Sequence, residues 1–319
     1  MNTSIAKVFN AFISYIEDKD VYEMPRPRAS LRSVINNMVY TYKNRNNTGI
    51  NHVTGDVHYL ALVLPRKSTV LTIHDMGALT RAHYGKKYWI IYWLWFYLPI
   101  RYCKYITCIS EFTKGELLSF FPWAESRVSV IPNPVNDFFT FKPKAFNEIK
   151  PIILHVGVNE NKNLYRVIQA LHGISCELHI VGKLNDDMKS ELERYQIDYR
   201  NSYDISDEEM IAEYVNCDMV SFPSMYEGFG MPVLEGFATG RVVLTSDIEP
   251  LRSLAEDAAI LVDPLNVDSI RDGYLSIIGN QELREQKISS GRRVVERYRA
   301  SIICERYKEV YKVVSQNVS

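Results

Sequence analysis

Beyond residue 49 the chain alternates short apolar runs with segments whose apolar positions recur every three or four residues. Runs of four to six mostly apolar residues fit buried strands, and the recurrence between them fits amphipathic helices. The first series predicts strands over 57–62, 68–73, 105–109 and 128–131. The segment 131–137, Ile-Pro-Asn-Pro-Val-Asn-Asp, then ends regular structure, because proline lacks an amide hydrogen and asparagine favours turns. Residues 138–150 read as a linker. A second series predicts strands over 152–156, 178–181, 201–203, 219–222, 242–245 and 259–262. Helices fall between them, among them 163–172 and 207–217, the latter opened by the capping signal Ser206-Asp207-Glu208-Glu209. An amphipathic helix opens the chain over 4–16, and another covers 302–314. Two such series make an α/β chain of two domains, each near the size of a doubly wound sheet.

The length of 319 residues fits two domains of about 150. An apolar content of 46% and a charged content of 24% are those of an ordinary soluble globular protein. The five cysteines, Cys103, Cys108, Cys176, Cys217 and Cys304, are scattered and odd in number. Cys103 and Cys108 have no second Cys or His pair at a zinc-binding distance, so all five read as reduced thiols of a cytosolic protein. No apolar run reaches the 18 residues needed to span a bilayer, and 4–16 lacks a secretory cleavage pattern.

Charge changes the picture more than composition does. Residues 1–145 carry 18 Lys and Arg against 10 Asp and Glu, a balance of +8, and the remainder carries 19 against 28, a balance of −9, which gives the net −1. A basic half beside an acidic half points to an anionic partner for the first; the alternative is solvated faces that differ only in composition. In the same half, 88–98 is aromatic on nearly every helical face and is flanked by Lys86, Lys87, Arg101 and Lys104. Eleven residues are too few to cross a bilayer, and the stretch fits either a membrane interface or a buried helix.

The candidate chemistry concentrates in 224–240. It follows the apolar run 219–223, Met-Val-Ser-Phe-Pro, and turns on Gly228 and Gly230. Pro232 stands near a helix start, and Gly240 stops that helix. A strand, a glycine turn and a helix N-terminus present free amides where a phosphate can dock. Glu227 and Glu235 flank the turn, placed to accept hydrogen bonds from sugar hydroxyls. Phosphate cradle and hydroxyl acceptors together suit a sugar nucleotide.

The Gly-Phe-Gly-Met-Pro between the glutamates closely resembles the donor-site motif of the retaining GT-B glycosyltransferases of glycosyltransferase family 4. The resemblance covers the chain from about Gly49 to Val295 and implies two Rossmann-like domains facing across a cleft. It implies an acceptor-binding domain over 1–140, a linker over 141–150, a nucleotide-sugar-binding domain over 151–298, and a terminal helix over 299–319 crossing back to the first domain. It also implies a catalytic Glu227 beside the donor sugar and Glu235 on the ribose hydroxyls. Gly228, Phe229, Gly230, Met231, Pro232, Val233 and Leu234 become the donor-binding turn and helix start.

In that family the chain opens with a strand and a glycine-rich turn that reaches the donor phosphates. Here it opens on what looks like the following helix, and the first 48 residues contain no glycine. Either the start lies upstream or the first strand is missing.

Two further turns carry the resemblance. Residues 157–164, Gly-Val-Asn-Glu-Asn-Lys-Asn-Leu, resemble the family's pyrophosphate-binding turn, with Lys162 as the phosphate cation and Asn163 at the helix start. Relatives often add an arginine here, where this chain has Val158, Glu160 and Asn161. Residues 70–75, Val-Leu-Thr-Ile-His-Asp, resemble the strand end whose His reaches the donor sugar, which makes His74 the second catalytic candidate. Ser110, in Cys108-Ile-Ser-Glu-Phe-Thr-Lys114, reads as a helix N-cap.

The resulting expectation is a cytoplasmic hexosyltransferase, possessing no metal site and no cofactor beyond the nucleoside diphosphate sugar co-substrate, and acting with retention. Its acceptor is a glycan or lipid-linked sugar of bacterial surface polysaccharide or lipopolysaccharide assembly. No nucleic acid partner is expected, and peripheral attachment to the inner face of an anionic cytoplasmic membrane is. A sugar-nucleotide epimerase of the same architecture and a non-catalytic sugar-nucleotide-binding subunit are the alternatives.

Overall fold

Consecutive β-branched and apolar residues, buried on both faces, form parallel strands, and the polar-edged segments between them form the covering helices. The computed structural model describes residues 4–26, 30–81 and 85–316. It divides into two units, Met1–Pro134 with Ala300–Ser319, and Val135–Arg299.

The first unit holds a parallel sheet in the order β1-β2-β3-β4, formed by Asn51–Val53, Thr69–Ile73, Tyr105–Cys108 and Val128–Val130. Leu71, Ile73, Ile106 and Cys108 are buried beneath Phe96 and Ile100. The helix Ala300–Gln316 belongs to this unit, where Tyr307 stacks on Phe12 of the helix Ser4–Ile13 at 4.9 Å. Tyr311 Oη bonds His52 Nδ1 at 2.8 Å, and His52 Nε2 bonds Thr72 Oγ1 at 2.7 Å.

The second unit holds six parallel strands in the order β10-β9-β8-β5-β6-β7. These are β5 Ile152–Val156, β6 Glu177–Val181, β7 Tyr199–Ser202, β8 Met219–Phe222, β9 Val242–Ser246 and β10 Ile260–Val262. The chain winds outward from β5 through β6 and β7, then returns to lay β8 on the other side of β5. That is the doubly wound order, with its switch point between β5 and β8.

Two expectations are corrected. Residues 57–62 are not a strand: His58–Val63 form a 3-10 helix, with Tyr59, Leu60 and Ala61 buried in succession. A short apolar run alone does not separate a strand from a buried helical turn. The first strand is instead the three-residue Asn51–Val53, too short and too polar to register as a pattern. Residues 141–150, read as a linker, lie folded on the second unit. There Lys144 pairs with Asp218, and the Asn147 amide donates to the same carboxylate at 3.1 Å.

Candidate active site

In an open parallel sheet the crevice for a ligand forms at the C-terminal strand ends, where the winding reverses. In the second unit those ends are the turns 157–163 after β5 and 224–230 after β8. They are sewn together. The Met225 amide donates to the Asn161 carbonyl at 2.8 Å, and Asn161 Nδ2 donates to the Tyr226 carbonyl at 3.1 Å.

The two charged candidates of these turns meet directly. Lys162 Nζ donates to Glu227 Oε1 at 2.6 Å, and both side chains are largely buried. The ammonium also lies 4.5 Å from the centroid of the Phe222 ring, which supplies a negative π-face under it. Gly157 adopts φ +92°, and a Cβ there would stand 2.9 Å from Lys162 Cγ. The absence of a side chain at 157 thus gives the lysine stem its place.

Beneath this pair, on β5, His155 is fully buried with no hydrogen-bond partner on either ring nitrogen. Burial, and after it the charge of Lys162, lower its pKa to about 4. The backbone at Ser221 and Gly157 opposes the shift without reaching a hydrogen bond. The ring is therefore neutral at neutral pH.

Asn163 has a structural commitment. It sits in the left-handed region at φ 66°, and its Nδ2 donates to the carbonyls of Pro223 at 2.9 Å and Pro264 at 2.6 Å. Its Oδ1 accepts from Arg166 Nη1 at 2.9 Å. Both side-chain donors are used, so Asn163 ties the ends of β8 and β10 to the lysine turn.

Gly228 and Phe229 lead to Gly230, which takes φ +115° and starts the helix Met231–Thr239. A Cβ on Gly230 would come within 2.5 Å of Leu251, so both conformation and space demand glycine. Met231 and Pro232 are half-buried in the first turn, while Val233 and Leu234 pack inward. Glu235, also half-buried, accepts from Tyr214 Oη at 2.5 Å. Burial, then the Glu235 carboxylate, push the Tyr214 phenol well above its ordinary value, so it remains a donor. Tyr214, on the helix Asp207–Asn216, went unrecognised in the sequence, as did Phe222 and Asn161. Tyr214 gave only an apolar helical position, Phe222 a strand end, and Asn161 its place in the lysine turn.

His74 lies in the first unit at the end of β2, buried, with Nε2 2.7 Å from the Thr54 carbonyl. A carbonyl only accepts, so Nε2 carries the hydrogen. Ser110 caps the helix Glu111–Phe120, its side chain accepting from the Thr113 amide at 3.0 Å. The aromatic stretch is helical over 86–102, with Tyr88 and Phe96 buried and Trp89, Ile90, Trp93 and Leu98 exposed. No described helix is long and apolar enough to cross a membrane.

The family profile described as Glycosyl transferases group 1 matches residues 136–294. That described as Glycosyltransferase Family 4 matches residues 43–137. Between them the two glycosyltransferase profiles match residues 43–294 of this chain.

Among the curated relatives, the O-antigen chain mannosyltransferase B of Escherichia coli is 24% identical over 251 residues. The match spans 70% of this chain and 64% of that relative's length. Among solved structures, sucrose-phosphate synthase from Thermosynechococcus elongatus superposes with a TM-score of 0.74 at 17% identity, covering 91% of this chain and 80% of that one. Anabaena HepE in complex with UDP-glucose gives 0.73 at 14% identity, covering 88% and 82%. At these identities the structural likeness is one of fold.

Proposed function

We propose that the protein transfers a sugar from a nucleoside diphosphate sugar to a glycan or lipid-linked acceptor of surface polysaccharide assembly, with retention of anomeric configuration. The observation that carries this reading is the meeting of the two glycine-bounded turns at the switch point. One cation, Lys162, and one helix start, at Gly230, are held there beside two carboxylates. Lys162 and the positive end of the helix Met231–Thr239 are assigned to the diphosphate, and Glu235 to the ribose hydroxyls. Glu227 is assigned to the donor sugar.

In the reaction the bond from the anomeric carbon to the phosphate oxygen breaks as the acceptor oxygen bonds to that carbon. The acceptor proton passes to the departing phosphate. The negative charge that develops is met by the ammonium and the helix start, which is why no metal is assigned to the step. The mannosyltransferase relative supports the polysaccharide setting, and the neighbour in complex with UDP-glucose supports the donor class. We assign this work to the cytoplasmic face of a membrane, with the protein peripheral to it.

The test incubates the protein with a panel of nucleoside diphosphate sugars and a membrane extract, with mass spectrometry of the products and NMR of the new linkage. A product heavier by one hexose, with the donor's anomeric configuration, is expected. Conversion of the donor to its epimer without transfer would establish the epimerase instead. Nucleotide binding without turnover of any donor would establish a non-catalytic subunit.

A further inference from the structure

The first unit holds a second charged feature, at the opposite ends of its strands from His74 and Ser110. Arg66 precedes β2, Lys104 and Tyr105 open β3, and Arg127 immediately precedes β4. With Arg101, Tyr97 and Trp123 they line an open recess of about 660 Å³. Among the described residues no ion pair involves any of the four cations.

Neutral groups hold three of them instead. Arg66 Nε donates to the Tyr102 carbonyl at 2.8 Å, and Arg127 Nη1 donates to the carbonyls of Ile100 at 3.1 Å and Cys103 at 2.6 Å. The guanidiniums of Arg101 and Arg127 lie 5.9 and 5.3 Å from the centroid of the Trp123 ring. Burial, and after it the charges of Arg101 and Arg66, lower the pKa of Arg127, the electrostatic mark of like charges held close. Two guanidiniums fixed by carbonyls beside two further cations, with no acid paired to any of them, stand ready for an anion. Guanidinium forks match phosphate oxygens best.

The rim of the recess identifies the source of that phosphate. Trp89, Trp93, Tyr97 and Arg101 recur every fourth residue along the helical stretch 86–102. Tyr97 and Arg101 line the recess, and Trp93 adjoins it, 4.6 Å from Tyr97, which lies 5.8 Å from Trp123. Trp89, Trp93 and Trp123 are 52%, 48% and 42% exposed, and Ile90 and Leu98 beside them are exposed as well. A pocket for a free phosphate needs cations but not three uncovered indoles. Indole rings bordering a cationic site are what an anionic bilayer surface accepts, phosphates at one level and rings just beneath.

We propose that this recess seats the phosphate of an anionic phospholipid headgroup while Trp89, Trp93 and Trp123 enter the bilayer interface. This rests on the reading that the protein works at a membrane, and it is independent of the donor site.

The experiment sediments the full chain with phosphatidylcholine vesicles made with and without phosphatidylglycerol. The wild type should bind only the anionic vesicles. Arg66→Gln, Arg101→Gln and Lys104→Gln together should lose on the order of a hundredfold in vesicle affinity, roughly fivefold per charge. A control with Lys43→Gln, Lys114→Gln and Lys312→Gln removes the same charge elsewhere on the unit and should lose far less. Thermal melts of both triple variants check that each is folded. Trp89→Ser with Trp93→Ser should also weaken vesicle binding while leaving inorganic phosphate binding intact.

Equal losses in the two triple variants would overturn the recess and leave the membrane reading standing. No binding of the wild type to anionic vesicles would overturn both. Binding of inorganic phosphate that the recess variant loses, without vesicle binding, would make the ligand a soluble phosphate and overturn the lipid assignment.

Discussion

Glu227→Gln should tighten the binding of a nucleoside diphosphate while slowing sugar transfer. Without ligand, the Lys162 ammonium is already held by Glu227 at 2.6 Å. An incoming diphosphate shares that ammonium and meets a carboxylate on its far side. A phosphate seated opposite would lie about 6 Å from the carboxylate, a repulsion of roughly 3 kcal/mol at an effective dielectric of 20 and roughly 0.7 kcal/mol at that of water. Removing the negative charge should therefore gain about 0.7–3 kcal/mol, at least about threefold in affinity. The amide oxygen of glutamine still accepts from Lys162, so the turn keeps its shape and the cost in stability should be small.

Lys162→Ala is the opposite perturbation. It leaves the largely buried Glu227 carboxylate unpaired, which should cost up to about 3 kcal/mol in stability. It should also weaken the nucleoside diphosphate by about 1.5–3 kcal/mol, the worth of a charge-assisted contact. The assay is calorimetry with a panel of free nucleoside diphosphates, together with urea unfolding and transfer rates for each variant. Weaker or unchanged nucleotide binding by Glu227→Gln, with the fold intact, would refute the sharing of Lys162 and place the diphosphate elsewhere.

Tyr214→Phe keeps the ring but removes the bond to Glu235, and should cost about 1.5–3 kcal/mol in thermal unfolding experiments. It should also loosen nucleoside diphosphate binding by roughly threefold to tenfold; unchanged affinity would separate Glu235 from the ribose. Acid should weaken the fold above the range where carboxylates titrate, because burial lowers the pKa of His52 to about 3 and those of His58 and His155 to about 4, with His74 adding to the shift at the first two and Lys162 at the third. The unfolded chain then binds more protons than the folded one, so stability is full above about pH 6.5 and is lost as pH falls towards 4. Each ring should account for about 2 kcal/mol of loss by pH 5, and a urea midpoint that does not move between pH 7.5 and 5 would contradict the burial of these rings.

The sequence determined what is local. Strand, glycine turn and helix around Gly230 were legible because a positive φ and a proline in the first helical turn are written in adjacent residues. The Ser110 cap and the capping box of Ser206 and Glu209 were legible for the same reason. So was the α/β class, since every strand of the second sheet except the polar β7 carries its own mostly apolar run.

Strand order was not written in this way, and the candidate site depends on it. Lys162 and Glu227 are 65 residues apart, and they meet only because β8 returns to pair with β5 rather than with β7. Tyr214 reads as one more apolar position of its helix until packing sets its hydroxyl on Glu235. His58–Val63 coils although its residues would suit a strand, because neighbouring elements bury four successive residues there, His58 to Ala61. Local pattern sets what each segment becomes. Which segments touch is set by the burial of faces that lie far apart in the chain, and only the tertiary structure decided that.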